Sequence, residues 1–543
     1  MIKKTLLLYH TLKHLKLKQF LWRGLLFFPR FIKQANICPE SLKLERENLF
    51  FLIKTKRTND YDAFVFLNEE HVLSEIGWEP ECVSQLWLYN LHYFDCLAQQ
   101  QSRDSLPQVQ NLISDWINKN PWGIGTGWDP YPISIRAINW IKYKLQGFEL
   151  PNGADLSLWN QLRWLENWPE YHLLGNHLFV NAKALFYGAA FFKLTEDSKI
   201  YKRALKIINE ELDEQFLEDG GHFELSPMYH ALAMEDLLDL LHIAKYLPSS
   251  FPSKKIQQKL VKGMSWLQSF TYRNGEFAHF NDCANGIAPT LEALKEYCRF
   301  LNISLKLDDS PIQVKNYTDS GFFIKRDEFW HLICDVGMVG PAYLPGHAHA
   351  DTLSFELAVK GIRLVVNSGT SVYGTSPERN RQRGTAAHST IEVNRMNSSQ
   401  VWSGFRVAKR ATPFNIEFQE HEHFCEFGAS HDGYVTQGLK VFHKRRWLCS
   451  RNYLEIVDEL EGRKSHAVAR FFIHPNVQVV KSHNGYLFSL NEILFCKMTL
   501  KQAHDSEVFN TTYHDGFGVS VPNKCVVIKL LAPDNLITKW EIL

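Results

Sequence analysis

GFFIKRDEFWHLICDV, residues 321–336, marks where the hydrophobic pattern of this chain changes period. Its two parts, GFFIKR and FWHLICDV, are short, aromatic or β-branched and bounded by turn residues, which predicts strands. The same texture continues in LSFELAVKG (353–361), IRLVVNSG (362–369), STIEVN (389–394), LKVFHKRRWLCS (439–450), YLEIVDEL (453–460), AVARFFIH (467–474) and CVVIKLLA (525–532). Toward the N-terminus apolar residues recur instead at i, i+3 and i+4. This holds in LPQVQNLISDWINKN (106–120), ISIRAINWIKYKL (133–145), YKRALKIINEELDEQF (201–216), YHALAMEDLLDLLHIAKYL (229–247) and KIQQKLVKGMSWLQSF (255–270). That spacing predicts helices, and turns such as NPWGIGTGWDPYP and LEDGGHFELSP separate them. The expected architecture is α+β and multidomain: stacked helical hairpins, then packed antiparallel sheets. We expect a lead-in over 1–60, a helical domain over 61–305 and a β domain over 310–543, with a ligand groove between the last two.

Composition narrows the class. The 543 residues are 45% hydrophobic and 22% charged, which excludes global disorder. Lys plus Arg is 60 against 59 for Asp plus Glu, so the basic excess of a dedicated nucleic-acid binder is missing. The 37 Phe, 20 Tyr and 15 Trp suit either a carbohydrate cleft or a Phe-rich core. Ten cysteines contain no CxxC pair, so reduced thiols and a cytoplasmic location are expected, with the periplasm as the alternative.

The first 30 residues begin with Lys3 and Lys4, but the apolar run after them is only Leu6 to Leu8. No small-residue cleavage site follows, so a cleaved leader is not expected. Lys13, Lys16, Lys18 and Arg23 then alternate with Leu12, Leu15, Leu17, Leu21 and Trp22 as a basic amphipathic helix. Two readings stay open. The helix lies on an anionic membrane surface at the inner membrane face, or its apolar face docks on the protein's own body.

Four groups of residues could carry chemistry. Asn176, His177 and Asn181 are polar positions inside an apolar helix, and burying them requires partners. In GGHFELSPMYH (220–230), Ser226 suits an N-cap and Pro227 a helix start, placing Tyr229 in the first turn beside Glu224. In GHAHADTLSFEL (346–357), His347 and His349 alternate and share a face. With Asn367 and His388 downstream they suit either a metal or a metal-free histidine cluster. Last, Asn90, His92, Tyr93, Trp122, Trp128, Tyr131 and Arg136 lie at helix ends and turns, where aromatic platforms with an arginine could grip an acidic sugar.

In this order, Gly175-Asn176-His177, Ser226-Pro227-Met228-Tyr229-His230, Gly346-His347-Ala348-His349-Ala350-Asp351 and Ala387-His388-Ser389-Thr390 resemble the heparinase II/III-like polysaccharide lyases, over most of the chain. The resemblance implies an incomplete (α/α) toroid followed by a β-sandwich, and β-elimination at uronic acids. It implies that Asn176 neutralises the substrate carboxylate with His177 beside it. Tyr229 is then base or acid at the leaving oxygen, and His347 the complementary base. The partner would be an acidic polysaccharide, glycosaminoglycan-like or capsular, contacted also by Asn90, His92, Tyr93, Trp128, Arg136, Glu224 and Arg383. His349, Asn367 and His388 match the family's metal site, which would hold one structural divalent metal, zinc or calcium. The family usually has Asp where this chain has Asn367. No organic cofactor is implied, and nothing in the sequence sets an oligomeric state.

Two rivals are carried forward. An inverting glycoside hydrolase needs two facing carboxylates, and Glu224 with Asp282 is the pair available. A non-catalytic polysaccharide-assembly protein would need no such groups. Lys and Arg cluster near the motifs only at Arg379, Arg381 and Arg383, so no sulfate pocket is evident.

Overall fold

The computed structural model describes residues 2–42, 50–99, 103–247, 250–502 and 505–543; residues 1 and 43–49 of the lead-in lie outside the described residues. The change of period is a change of architecture. Long helices run from Leu106–Lys119 through Pro130–Leu145, Ala154–Asn167, Gly175–Phe191, Lys199–Gln215, Pro227–Ile243 and Ser253–Ser269 to Leu291–Phe300. The strands of the second half begin at Gln313–Tyr317. Side-chain caps set several starts: Ser198, Ser226 and Thr290 accept the N–H of Tyr201, Tyr229 and Ala293 at 3.2, 3.3 and 3.2 Å. Each such cap stabilises its helix by about 1 kcal/mol.

Two details differ from the expectation of helices throughout the first half. Ala63–Phe66 and Glu69–Val72 pair as an antiparallel hairpin. Its turn residues Leu67 and Asn68 both have positive φ, the geometry that matches strand twist in a two-residue loop. Only Phe64 and Phe66 alternate inward, too few for a readable period. The N-terminal segment is also two helices, Ile2–Leu12 and Leu17–Leu25, rather than one.

In the C-terminal half the paired strands are antiparallel. The long strands Tyr453–Ile473 and Val521–Ile542 pair along most of their length and form its spine. Trp447, Phe471 and Trp540 fill its core. A separate cluster joins the two halves: Trp266, Phe270 and Phe280 pack on Tyr317, Phe322 and Ile333. Full burial of such side chains contributes about 1.5–3 kcal/mol each, so the halves are held as one unit beside the site.

Loop 279–285 stitches the motif segments together. The Asp282 N–H donates to His347 O at 3.1 Å, and Ser226 Oγ donates to Asp282 O at 2.6 Å. Asn281 Nδ2 donates to Leu225 O at 2.9 Å, while its Oδ1 accepts the His349 N–H at 3.0 Å. Motifs more than 100 residues apart in sequence thereby share one backbone scaffold.

Candidate active site

The centre of the site is Asp282, which is fully buried. Its Oδ2 accepts from His347 Nδ1 at 2.8 Å and Arg379 Nη2 at 2.6 Å. Its Oδ1 faces His349 Nε2 at 2.9 Å, Thr370 Oγ1 at 3.3 Å and Arg379 Nη1. Burial disfavours the charge, but Arg379, then His347 and His349, hold the carboxyl well below the usual carboxylate range. An ionised Asp282 fixes the proton of His347 on Nδ1 and leaves the lone pair on Nε2.

Around His347 stand two tyrosines. The Tyr229 ring lies over the imidazole with centroids 4.0 Å apart. Tyr229 Oη is 2.8 Å from Tyr373 Oη, which is itself 3.3 Å from His347 Nδ1. Burial pushes both phenols well above their ordinary range, so both keep their protons.

Glu224 closes the other side. Its Oε2 is 3.8 Å from His347 Nε2, and it is 1% exposed with neither oxygen hydrogen-bonded. Burial raises its pKa; His347, His177 and the Asn176 N–H pull the other way. Gly175 has φ +61°, and a Cβ there would meet Leu344 Cδ2 at 2.2 Å and Glu224 Oε1 at 3.4 Å. Only glycine lets the helix start this close, which brings Asn176 beside Glu224. Asn176 is half-buried there. His177 Nδ1 faces Glu170 Oε1 at 3.2 Å and its ring packs on Tyr131 at 4.3 Å. Burial works against its charge, but Glu170 raises its pKa.

Asn176, Glu224, Tyr229 and His347 are therefore one cluster, with Tyr93 behind Tyr131 at 5.8 Å. Other expected contacts prove internal. His92 is sealed between Trp78 O and Trp116 Nε1, each at 3.0 Å. Trp128 is packed against Trp122 and Trp164. Arg136 is fully buried, bonded to Gln161, His92 O and Gly127 O and stacked on Trp116 at 3.8 Å. Asn90 turns its amide onto Leu86 O of its own helix. Arg383 is likewise buried on the carbonyls of Pro345, Ala348 and Gly404, and so shapes the His347 loop rather than meeting a sugar. Asn181 is a structural hub, joining Glu170 to Ser134.

Three important residues were not assigned these roles from sequence. Asp282 was read as one half of a hydrolase pair. Arg379 appeared only as part of a basic cluster, and Tyr373 carried no signal beyond its place in VVNSGTSVY.

His349 Nδ1 and His388 Nε2 face each other at 3.0 Å. The second nitrogen of each is held, by Asp282 and by Gly384 O, as in metal-binding histidines. The third position fails. Asn367 donates to His279 O at 3.0 Å and accepts from the Ser389 N–H at 3.3 Å. Among the described residues no three His, Cys, Asp or Glu side chains converge. Two nitrogens without a carboxylate do not complete a structural zinc site, and calcium needs an oxygen cage. The residues present do not fit the implied metal.

The model of the heparinase II/III N-terminus matches residues 112–304, and that of the heparinase II/III-like C-terminal region matches 310–532. The chain belongs to the heparinase II/III-like family. Within that family it is 27% identical over 381 residues to a heparin-sulfate lyase of Pedobacter heparinus, covering 63% of this chain and 55% of the relative. It is 25% identical over 344 residues to a heparin-sulfate lyase of Bacteroides stercoris, covering 59% and 48%. The chain thus spans about half the length of the curated relatives it matches. The crystal structure of heparinase III superposes with a TM-score of 0.69 at 18% identity, over 86% of this chain and 79% of that one. A heparan sulfate lyase mutant of Pedobacter heparinus gives 0.62 at 17% identity, over 87% and 80%. The family fold, a helical toroid followed by a β-sandwich, is the fold of this chain.

Proposed function

We propose that this chain is a polysaccharide lyase that cleaves a uronic-acid-containing polymer by β-elimination. The observation carrying the reading is the Asp282–His347–Tyr229 arrangement: a base with its lone pair fixed on Nε2, stacked against a phenol that keeps its proton. His347 Nε2 takes the C5 proton of the uronate. The C4–O4 bond breaks, a C4–C5 double bond forms, and O4 takes the Tyr229 proton. Asp282 stabilises the imidazolium that results. The sequence left Tyr229 open as acid or base; its raised pKa favours the acid.

Charge develops on the C6 carboxylate as C5 loses its proton, and donors aimed there lower the barrier. Asn176 supplies one. Glu224 supplies a second if it carries a proton, and its burial favours that state. A neutral carboxylic acid acting as donor is an established catalytic device.

The hydrolase rival needs Asp282 as a free acid or base. Arg379, His347 and His349 engage both its oxygens, which argues against that role. Arg379 and Arg383 are committed to buried partners and Arg381 to Glu378 at the surface, which favours a sparsely sulfated or unsulfated uronate segment. The heparin-sulfate lyase relatives support a glycosaminoglycan substrate, and a capsular or exopolysaccharide uronate polymer remains the second candidate. All ten cysteines are free and eight are buried, which fits a reducing compartment. A panel of uronic-acid polymers, read by ultraviolet absorbance of the unsaturated product, tests the reading; saturated products, or no cleavage of any uronate, overturn it.

A further inference from the structure

The helix Leu17–Leu25 is amphipathic with its polar side turned inward. Gln19 is 1% exposed and donates to Leu173 O at 3.3 Å and Tyr343 O at 3.4 Å. Lys16 reaches Glu214 at 2.5 Å, Lys18 lies 3.8 Å over the Tyr171 ring, and Trp22 packs on Tyr171 at 4.8 Å. The apolar side faces out: Leu17 is 73% exposed and Leu21 61%. The stripe continues past the helix through Phe27 at 90%, Phe28 at 67% and Phe31 at 90%.

Trp22 docks on the protein's own body, but Leu17 and Leu21 leave an apolar side of the helix open to solvent. A contiguous exposed apolar stripe of this kind marks an interaction surface. The charge around it selects the partner. Eight Lys or Arg and no Asp or Glu precede Glu40. Lys16 and Lys18 are paired with Glu214 and Glu210 of the body, and the remaining cations would still set like charge against like charge across two copies. An anionic lipid surface offers both things the segment lacks, an apolar layer and negative charge.

We propose that residues 17–31 seat on the surface of a bilayer containing anionic lipid. Gln19 and Lys16 are fixed to Tyr343, next to Leu344 at the Gly175 turn, so the seated protein holds its cleft close to the lipid surface. The proposal is independent of the lyase reading. The test is flotation of the full chain with phosphatidylcholine vesicles, with and without phosphatidylglycerol. Binding to the anionic vesicles is expected to be about tenfold or more tighter and to weaken with salt. The pair Leu21→Glu, Phe28→Glu should lose about tenfold or more of that binding with unchanged Tm, because both side chains are already in water. Absence of wild-type binding to anionic vesicles, full binding by the double variant, or a wild-type dimer that the double variant dissociates would overturn it.

Discussion

Asp282 Oδ2 and His347 Nδ1 stand 2.8 Å apart, and this contact fixes what each residue can do. The histidine becomes a base with a defined tautomer. The carboxylate, held also by Arg379 and His349, becomes its support and is removed from direct proton transfer. Asp282→Asn is expected to lower kcat by about 10²–10⁴-fold. It also leaves the Arg379 guanidinium buried without its counter-charge, costing about 3–5 kcal/mol. Steady-state kinetics with thermal unfolding checks both effects.

Glu224 gives the pH prediction. Its pKa is raised in the fold, so its proton is present below that value and is lost as pH rises through it. Activity that depends on this proton therefore falls on the alkaline side. Glu224→Gln keeps a donor that cannot titrate, so it should remain active and lose that limb of the kcat/KM profile. Glu224→Ala should lose about 10²-fold. The linkage has the same sign. The unfolded state releases this proton first, so the wild type loses stability between the ordinary carboxyl range and the raised pKa. Glu224→Gln should therefore gain Tm over wild type as pH moves from acid to neutral. A Gln variant as dead as the Ala variant would assign Glu224 the hydrolase role instead.

Tyr373 bridges Tyr229 and His347 through its hydroxyl. Tyr373→Phe keeps the ring and its contact with Phe517. We expect kcat to fall by about tenfold or more with KM unchanged, because the hydroxyl orients the acid and the base rather than the polymer. An equal rise in KM would place Tyr373 in substrate binding.

The Asn367 side-chain amide is spent on His279 O and the Ser389 N–H. Chelator dialysis is expected to leave the Tm of the wild type unchanged. Asn367→Asp restores the carboxylate that the family resemblance implies at this position, and should take up zinc with a higher Tm in its presence. Stoichiometric zinc in the purified wild type, measured by elemental analysis, would contradict this.

The division into helical and β halves was legible because amphipathic periods of 3.6 and 2 run for hundreds of residues on either side of Gln313–Tyr317. The hairpin at Ala63–Phe66 was not, because four residues per strand carry too little alternation. At the site, Asn176, Tyr229 and His347 were legible as ordered motifs. Arg136 and Trp128 misled because an arginine or tryptophan in a turn looks alike whether it faces a sugar or a core. Only burial and hydrogen bonding separate the two, and Arg136 has every donor group facing inward. The support by Asp282 and Arg379 was hidden for a related reason: the pair is 97 residues apart and meets only through the fold.

The most direct test of the account is the absorbance near the ultraviolet edge of the products formed by wild type and Tyr229→Phe from the same uronic-acid polymer. Phe keeps the ring over His347 but has no proton for O4. The account predicts an absorbing, unsaturated product from wild type and a rate about 10²–10⁴-fold lower from Tyr229→Phe, with polymer binding retained. A saturated product from wild type, or full activity in Tyr229→Phe, would contradict it.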